Sequence, residues 1–156
     1  MIEQAMATWH RFLRGEEPDA LDTLLHDDCV FYSPIVFKPQ EGKALTKLYL
    51  QAAGQALPGE TSASDAGAGS ASGAVDDPPG EVVKGSFRYT KKVMAGDTAV
   101  LEFETTVEGK YVNGVDIIRV DEDGKIVEFR VMIRPLQAVN AVHAQMAAML
   151  EKMQGG

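Results

Sequence analysis

Four extended segments follow one another at residues 86–95, 98–108, 111–120 and 125–134, joined through AGDT, EGK and DEDG. Each is rich in β-branched and aromatic residues, and glycine beside acidic residues is hairpin chemistry. Connections this short permit only antiparallel neighbours. The chain is therefore committed to a meander sheet, and at least one face of that sheet needs cover. The N-terminal part supplies it. Ile2, Met6, Trp9 and Leu13 recur at helical spacing over residues 2–14, and Gly15 provides a stop. Pro18 suits the first turn of a second helix, whose Leu21, Leu24 and Leu25 form a short stripe ending near His26. CVFYSP at 29–34 reads as a further strand closed by Pro34, and residues 42–56 as a third helix with Leu45, Leu48, Tyr49 and Ala52 on one side. From Pro135 on the pattern is helical again, with Val139, Val142, Met146, Met149 and Met153 in register. Helices grouped before the main sheet predict an α+β domain with helices over one sheet face.

With 156 residues the chain makes a single domain, 1–156, interrupted by a low-complexity insertion at 58–80 and closed by a C-terminal helix at 136–153. Seventeen of the 23 insertion residues are Gly, Ala, Ser or Pro, too little apolar surface to offset ordering, so a solvated insertion is expected. Fifteen Lys and Arg against 23 Asp and Glu speak against nucleic acid, whose binding rests on neutralising phosphates. The lone Cys29 excludes an internal disulfide and is expected to be a small core residue. No HExxH, HxH or CxxC spacing occurs, so neither a metal nor a cofactor is expected, and GxSxG is absent as well. The N-terminus has an acid at Glu3 and no long apolar run, which predicts a cytoplasmic protein without a membrane segment.

One residue breaks its surroundings. Asp116 lies inside the apolar run VDII of the segment 111–120. Aspartate is disfavoured in strands and rarely buried without a partner. A two- or four-residue turn at Asp123–Gly124 sets it opposite Phe129 or Val131, on the face that also carries Val127 and Ile133. A two-residue turn at Gly109–Lys110 sets it opposite Phe103, beside Leu101 and Thr105. An acid facing such neighbours is pushed toward its protonated form, where it donates a hydrogen bond. The alternative is a structural acid satisfied by a backbone amide or by Arg88 or Arg130.

Three stretches also carry a resemblance. TLLHDDCVFYSP (23–34), the following Pro39–Gly42 and GVDIIRVDEDGKIVEFRVMIRPL (114–136) resemble nuclear transport factor 2-like proteins, the superfamily of SnoaL-like and ketosteroid isomerase-like domains. The likeness implies a cystatin-like cone: a curved antiparallel sheet packed on N-terminal helices around an apolar pocket, with a C-terminal helix as an extension, and often a homodimer. It implies that Asp116 corresponds to the neutral, hydrogen-bond-donating aspartic acid of ketosteroid isomerase. Ser33 corresponds to the base aspartate of that enzyme and Trp9 to its oxyanion-hole tyrosine. A serine alcohol is too weak a base to take a carbon-bound proton unaided at neutral pH.

Asp116 is thus the candidate catalytic acid or donor, with Trp9, Phe31, Ser33, Leu101, Phe103, Phe129 and Val131 as pocket lining and no metal. Three functions fit: an isomerase, hydratase or cyclase acting on a small apolar substrate; a non-catalytic module for a small hydrophobic ligand; or a structural homodimer whose cone is filled by side chains. A homodimer is expected in each case, because Val115, Ile117 and Met132 share a face with Arg119, Glu128 and Arg130, a mixture typical of subunit interfaces.

Overall fold

The computed structural model describes residues 2–56 and 87–155. The low-complexity segment 58–80 lies outside the described residues. Helix α1 (Ile2–Leu13) buries Ile2, Met6 and Trp9 on one stripe. It ends where Gly15 takes a positive φ of 78° and the Glu16 amide donates back to the Arg11 carbonyl. Helix α2 (Ala20–Leu24) is a single short stretch, followed directly by β1 (Leu25–Tyr32), the two-residue β2 (Gln40–Glu41) and α3 (Lys43–Ala56). The four sheet segments are β3 (Arg88–Ala95), β4 (Thr98–Val107), β5 (Lys110–Val120) and β6 (Ile126–Arg134), and α4 (Leu136–Gly155) closes the chain.

The sheet has six strands in the order β2-β1-β6-β5-β4-β3. The β3–β6 meander is antiparallel throughout, whereas β1 joins β6 in parallel. Helices before and after a curved sheet make the α+β, cystatin-like architecture expected from the sequence. One boundary and one helix face differ from expectation. Leu25 begins β1 instead of ending α2, because it pairs with Ile126 of β6, a partner a hundred residues away that no local pattern announces. On α3 the buried positions among the described side chains are Thr46, Leu50 and Ala52, with Leu45 and Leu48 only half-buried.

Register decides what faces inward. The β4–β5 turn falls at Glu108–Gly109, both at positive φ, so Leu101 rather than Phe103 lies opposite Asp116. That turn is one position earlier than Gly109–Lys110. The register therefore moves by two residues and the face of Asp116 is unchanged. The β5–β6 connection runs over five residues, and a one-residue bulge between Arg119 and Val120 offsets its odd length. Asp116 consequently pairs with Val131 and faces the helices.

Candidate active site: a buried acid in an apolar cavity

Between the sheet and the helices lies a cavity of about 460 Å³. Its wall is almost wholly apolar. Helix α1 contributes Trp9, Phe12 and Leu13, and the sheet contributes Phe31, Phe103, Phe129, Val131 and Ile133. Helix α3 adds Tyr49 and Leu50, and α4 adds Val142, His143, Met146 and Leu150. The helical period of α4 explains this last set, since positions 142, 146 and 150 fall on one stripe. The side chains with polar groups on the wall are few: Trp9, Ser33, Tyr49, Gln51, Tyr89, Asp116 and His143.

Asp116 is only 5 % exposed. Neither an arginine nor the Trp9 indole holds it directly. Its Oδ2 accepts a hydrogen bond of 2.6 Å from the Tyr89 hydroxyl, and the Tyr89 oxygen in turn accepts one of 2.9 Å from Trp9 Nε1–H. Arg88 instead pairs with Glu104 at 3.3 Å, and Arg130 pairs with Glu128 while lying over the Tyr32 ring. Burial drives the Asp116 carboxyl up to about 7, and the Tyr89 donor opposes that rise without cancelling it. Near neutral pH the site therefore holds an acid that exchanges readily between its two forms.

The other expected residues are distributed as follows. Trp9 stacks on Phe12 and meets Phe129 edge-on at 5.0 Å between centroids. Phe31 stacks on Tyr49 and, with Phe103, Phe129 and Val131, lines the cavity. Ser33 lines it as well, but its Oγ accepts from the backbone amides of Ile35 and Val36, so its lone pairs hold the turn. Leu101 is the exception: it is fully covered and does not reach the cavity. The shifted register accounts for this, since it sets Phe103 across from Gly114, where the ring finds room to reach the wall. Cys29 is buried, and burial raises its thiol pKa, as for an inert core cysteine.

Tyr89 is the residue that sequence reasoning overlooked. It sits on β3 two positions after Phe87, and that alternation marks both as inward-facing. Its partners lie 27 and 80 residues away in sequence, so the chain gives no local hint of its role. Among the described residues no group of side chains is arranged to hold a metal ion, and no helix is long and apolar enough to cross a membrane.

Comparison with known proteins agrees with this fold. No curated protein sequence matches the chain. Among solved structures, a steroid delta-isomerase from Pseudomonas aeruginosa is similar at 27 % identity and a TM-score of 0.78, over 99 % of this chain and 95 % of that one. A conserved uncharacterized protein with a cystatin-like fold from Silicibacter pomeroyi is 26 % identical, with a TM-score of 0.64, over 90 % of this chain and 83 % of that one. A nuclear transport factor 2-like protein of unknown function from Mesorhizobium loti shares the fold at 18 % identity and a TM-score of 0.60, covering 86 % of this chain and 91 % of that one. The sequence profile of the SnoaL-like domain matches residues 6–129, a span that includes Trp9, Ser33, Tyr89 and Asp116, and the chain belongs to this SnoaL-like family.

Proposed function

We propose that the protein binds a small apolar molecule in this cavity, with Asp116 as the acid or hydrogen-bond donor that orients or activates it. The observation that carries the reading is a cavity of about 460 Å³ with an apolar wall and one buried carboxyl whose pKa lies near neutrality. That volume also speaks against a cone filled by side chains. Similarity to a steroid delta-isomerase supports isomerase-type proton chemistry, with hydration or cyclisation as the neighbouring possibilities. A specific observation favours a second reading, a non-catalytic binding module: Ser33 is a weak base whose oxygen is already engaged by two backbone amides.

Native mass spectrometry of the protein purified from its own host tests the binding reading. A retained apolar ligand, lost from Asp116→Leu, is the expected result; a ligand-free protein that also ignores a panel of aromatic ketones and phenols would overturn it. Enzyme and module separate on turnover. Conversion of a β,γ-unsaturated steroid ketone to its conjugated isomer would require a base other than Ser33, and its absence in a protein that binds the ketone favours the module.

A further inference from the structure

The hydrogen bonds behind Asp116 have a fixed direction. An indole N–H only donates, so the Tyr89 oxygen must accept from Trp9. A phenol oxygen has two strong in-plane directions, one for its own proton and one for an accepted bond. With the accepting direction occupied by Trp9, the Tyr89 proton points at Asp116 Oδ2. Oδ2 is thereby an acceptor in both protonation states of the acid. Any proton that Asp116 carries resides on Oδ1, which meets no protein donor among the described residues and opens on the cavity that Asp116 lines.

The geometry points to Tyr89, oriented by Trp9, as a positioning residue that holds the acid proton of Asp116 on Oδ1. With its proton on Oδ1, Asp116 offers a donor to an oxygen that ends an apolar ligand, while Tyr89, as donor to Oδ2, sets how far up in pH that donor lasts. This rests on the cavity being a ligand site, and it adds which end of a ligand goes inward and what sets that choice. The surroundings leave Asp116 to this one partner. β4 and β6 present Leu101, Phe103, Phe129 and Val131, and α1 presents Trp9 with His10 behind the Tyr89 ring. The remaining titratable side chains on the cavity wall are Tyr49 of α3, whose ring stacks on Phe31, and His143 of α4, which is exposed. A merely structural Tyr89 would leave ligand choice indifferent to the Trp9 indole.

Two probes of equal shape separate these cases: 2-acetylnaphthalene, which accepts a hydrogen bond, and 2-ethylnaphthalene, which does not. Below pH 7 the wild-type protein is expected to prefer the ketone by roughly five- to tenfold, the worth of one hydrogen bond to a buried donor, and to lose that preference as Asp116 ionises. Trp9→Phe frees the Tyr89 hydroxyl to turn and accept from Oδ2–H. The acid proton can then leave Oδ1, and the preference falls toward unity. Tyr89→Phe removes the donor that favours the carboxylate, so the Asp116 carboxyl carbon titrates at higher pH and the preference persists to higher pH. Opposite responses in the two variants are the signature of a directed chain. A loss of preference in both, or in neither, overturns the proposal. The ¹³C titration of Asp116 in Tyr89→Phe needs no ligand and uses a substitution that removes only a hydroxyl. An unmoved carboxyl there overturns the proposal on its own. Failure of both probes to bind, with the carboxyl shifted upward, contradicts the ligand reading while leaving the chain of hydrogen bonds intact.

Discussion

Gly114 is where the sheet and the cavity depend on the absence of a side chain. A methyl group built at Gly114 would lie 2.4 Å from Phe103 Cζ, 2.8 Å from its Cε2 and 2.7 Å from the Met132 carbonyl oxygen. Ordinary carbon contacts begin at about 3.5 Å, so the ring must retreat by roughly 1 Å. Phe87, on which it stacks at 5.0 Å, blocks it on one side, so the ring can retreat only into the cavity it lines, at the cost of that stack. The Met132 oxygen belongs to the backbone of β6 and yields even less. Overpacking of this kind costs about 1–3 kcal/mol, offset by about 0.4–1 kcal/mol from the lower chain entropy of unfolded alanine. A net loss of about 1.3 kcal/mol should lower the melting temperature of Gly114→Ala by roughly 3–5 °C, read by calorimetry or circular dichroism. Combining it with Phe103→Leu, which withdraws the ring, should recover part of that loss beyond additivity. A single variant melting at or above wild type would show that Phe103 does not pack across Gly114, and the described cavity wall would be wrong.

Other expectations follow from the same geometry. The folded Asp116 titrates at about 7 against an ordinary 3.8, so the native state holds an extra proton between these values. Stability should therefore fall as pH rises from about 4 to 7, by about 1.4 kcal/mol per unit of pKa difference as an upper bound. Asp116→Asn should fold and lack that slope in chemical denaturation; Asp22 and Asp121, whose pKa values are lowered, act only below this window. Ala147→Trp, at the rim of the cavity, should block aromatic probes while changing the melting temperature by under about 2 °C, as expected for an exposed site. We infer a homodimer through the outer sheet face, where Val93, Val100, Ile117 and Met132 lie on neighbouring strands beside the Arg119–Glu128–Arg130 ion pairs. Light scattering should give about twice 16.8 kDa, and Met132→Lys should halve it. A mass near 17 kDa for the wild-type protein at micromolar concentration would contradict that interface.

The fold was legible where structure is local. Alternation and Gly-containing turns marked the β3–β6 meander, and the period of two placed Asp116 on the inner face although both assumed turns differed in detail. A shift of two residues in one hairpin preserved the face, and the bulge at Arg119 compensated for the longer turn in the other. Leu25 was misplaced because a helical stripe and the first residue of a strand look alike until the parallel partner on β6 is known. β2, only two residues long, leaves no pattern to read. At the site, Trp9, Phe103 and Phe129 followed from apolar periodicity, whereas Leu101 depended on register to the residue. Tyr89 could not be found this way, since an aromatic on an inward strand position reads as core, and its hydroxyl matters only because Asp116 and Trp9 converge on it from β5 and α1.

The most direct test of a neutral, ligand-facing Asp116 is the ¹³C titration of its carboxyl in the wild-type protein, alone and with saturating 2-acetylnaphthalene. The free carboxyl should titrate at about 7. A ketone that binds the protonated site about tenfold more tightly should raise that midpoint by about one unit, because binding and protonation are linked. A carboxyl titrating near 4 in both samples would mean that Asp116 is an ordinary ionised acid and that the cavity is not organised around it.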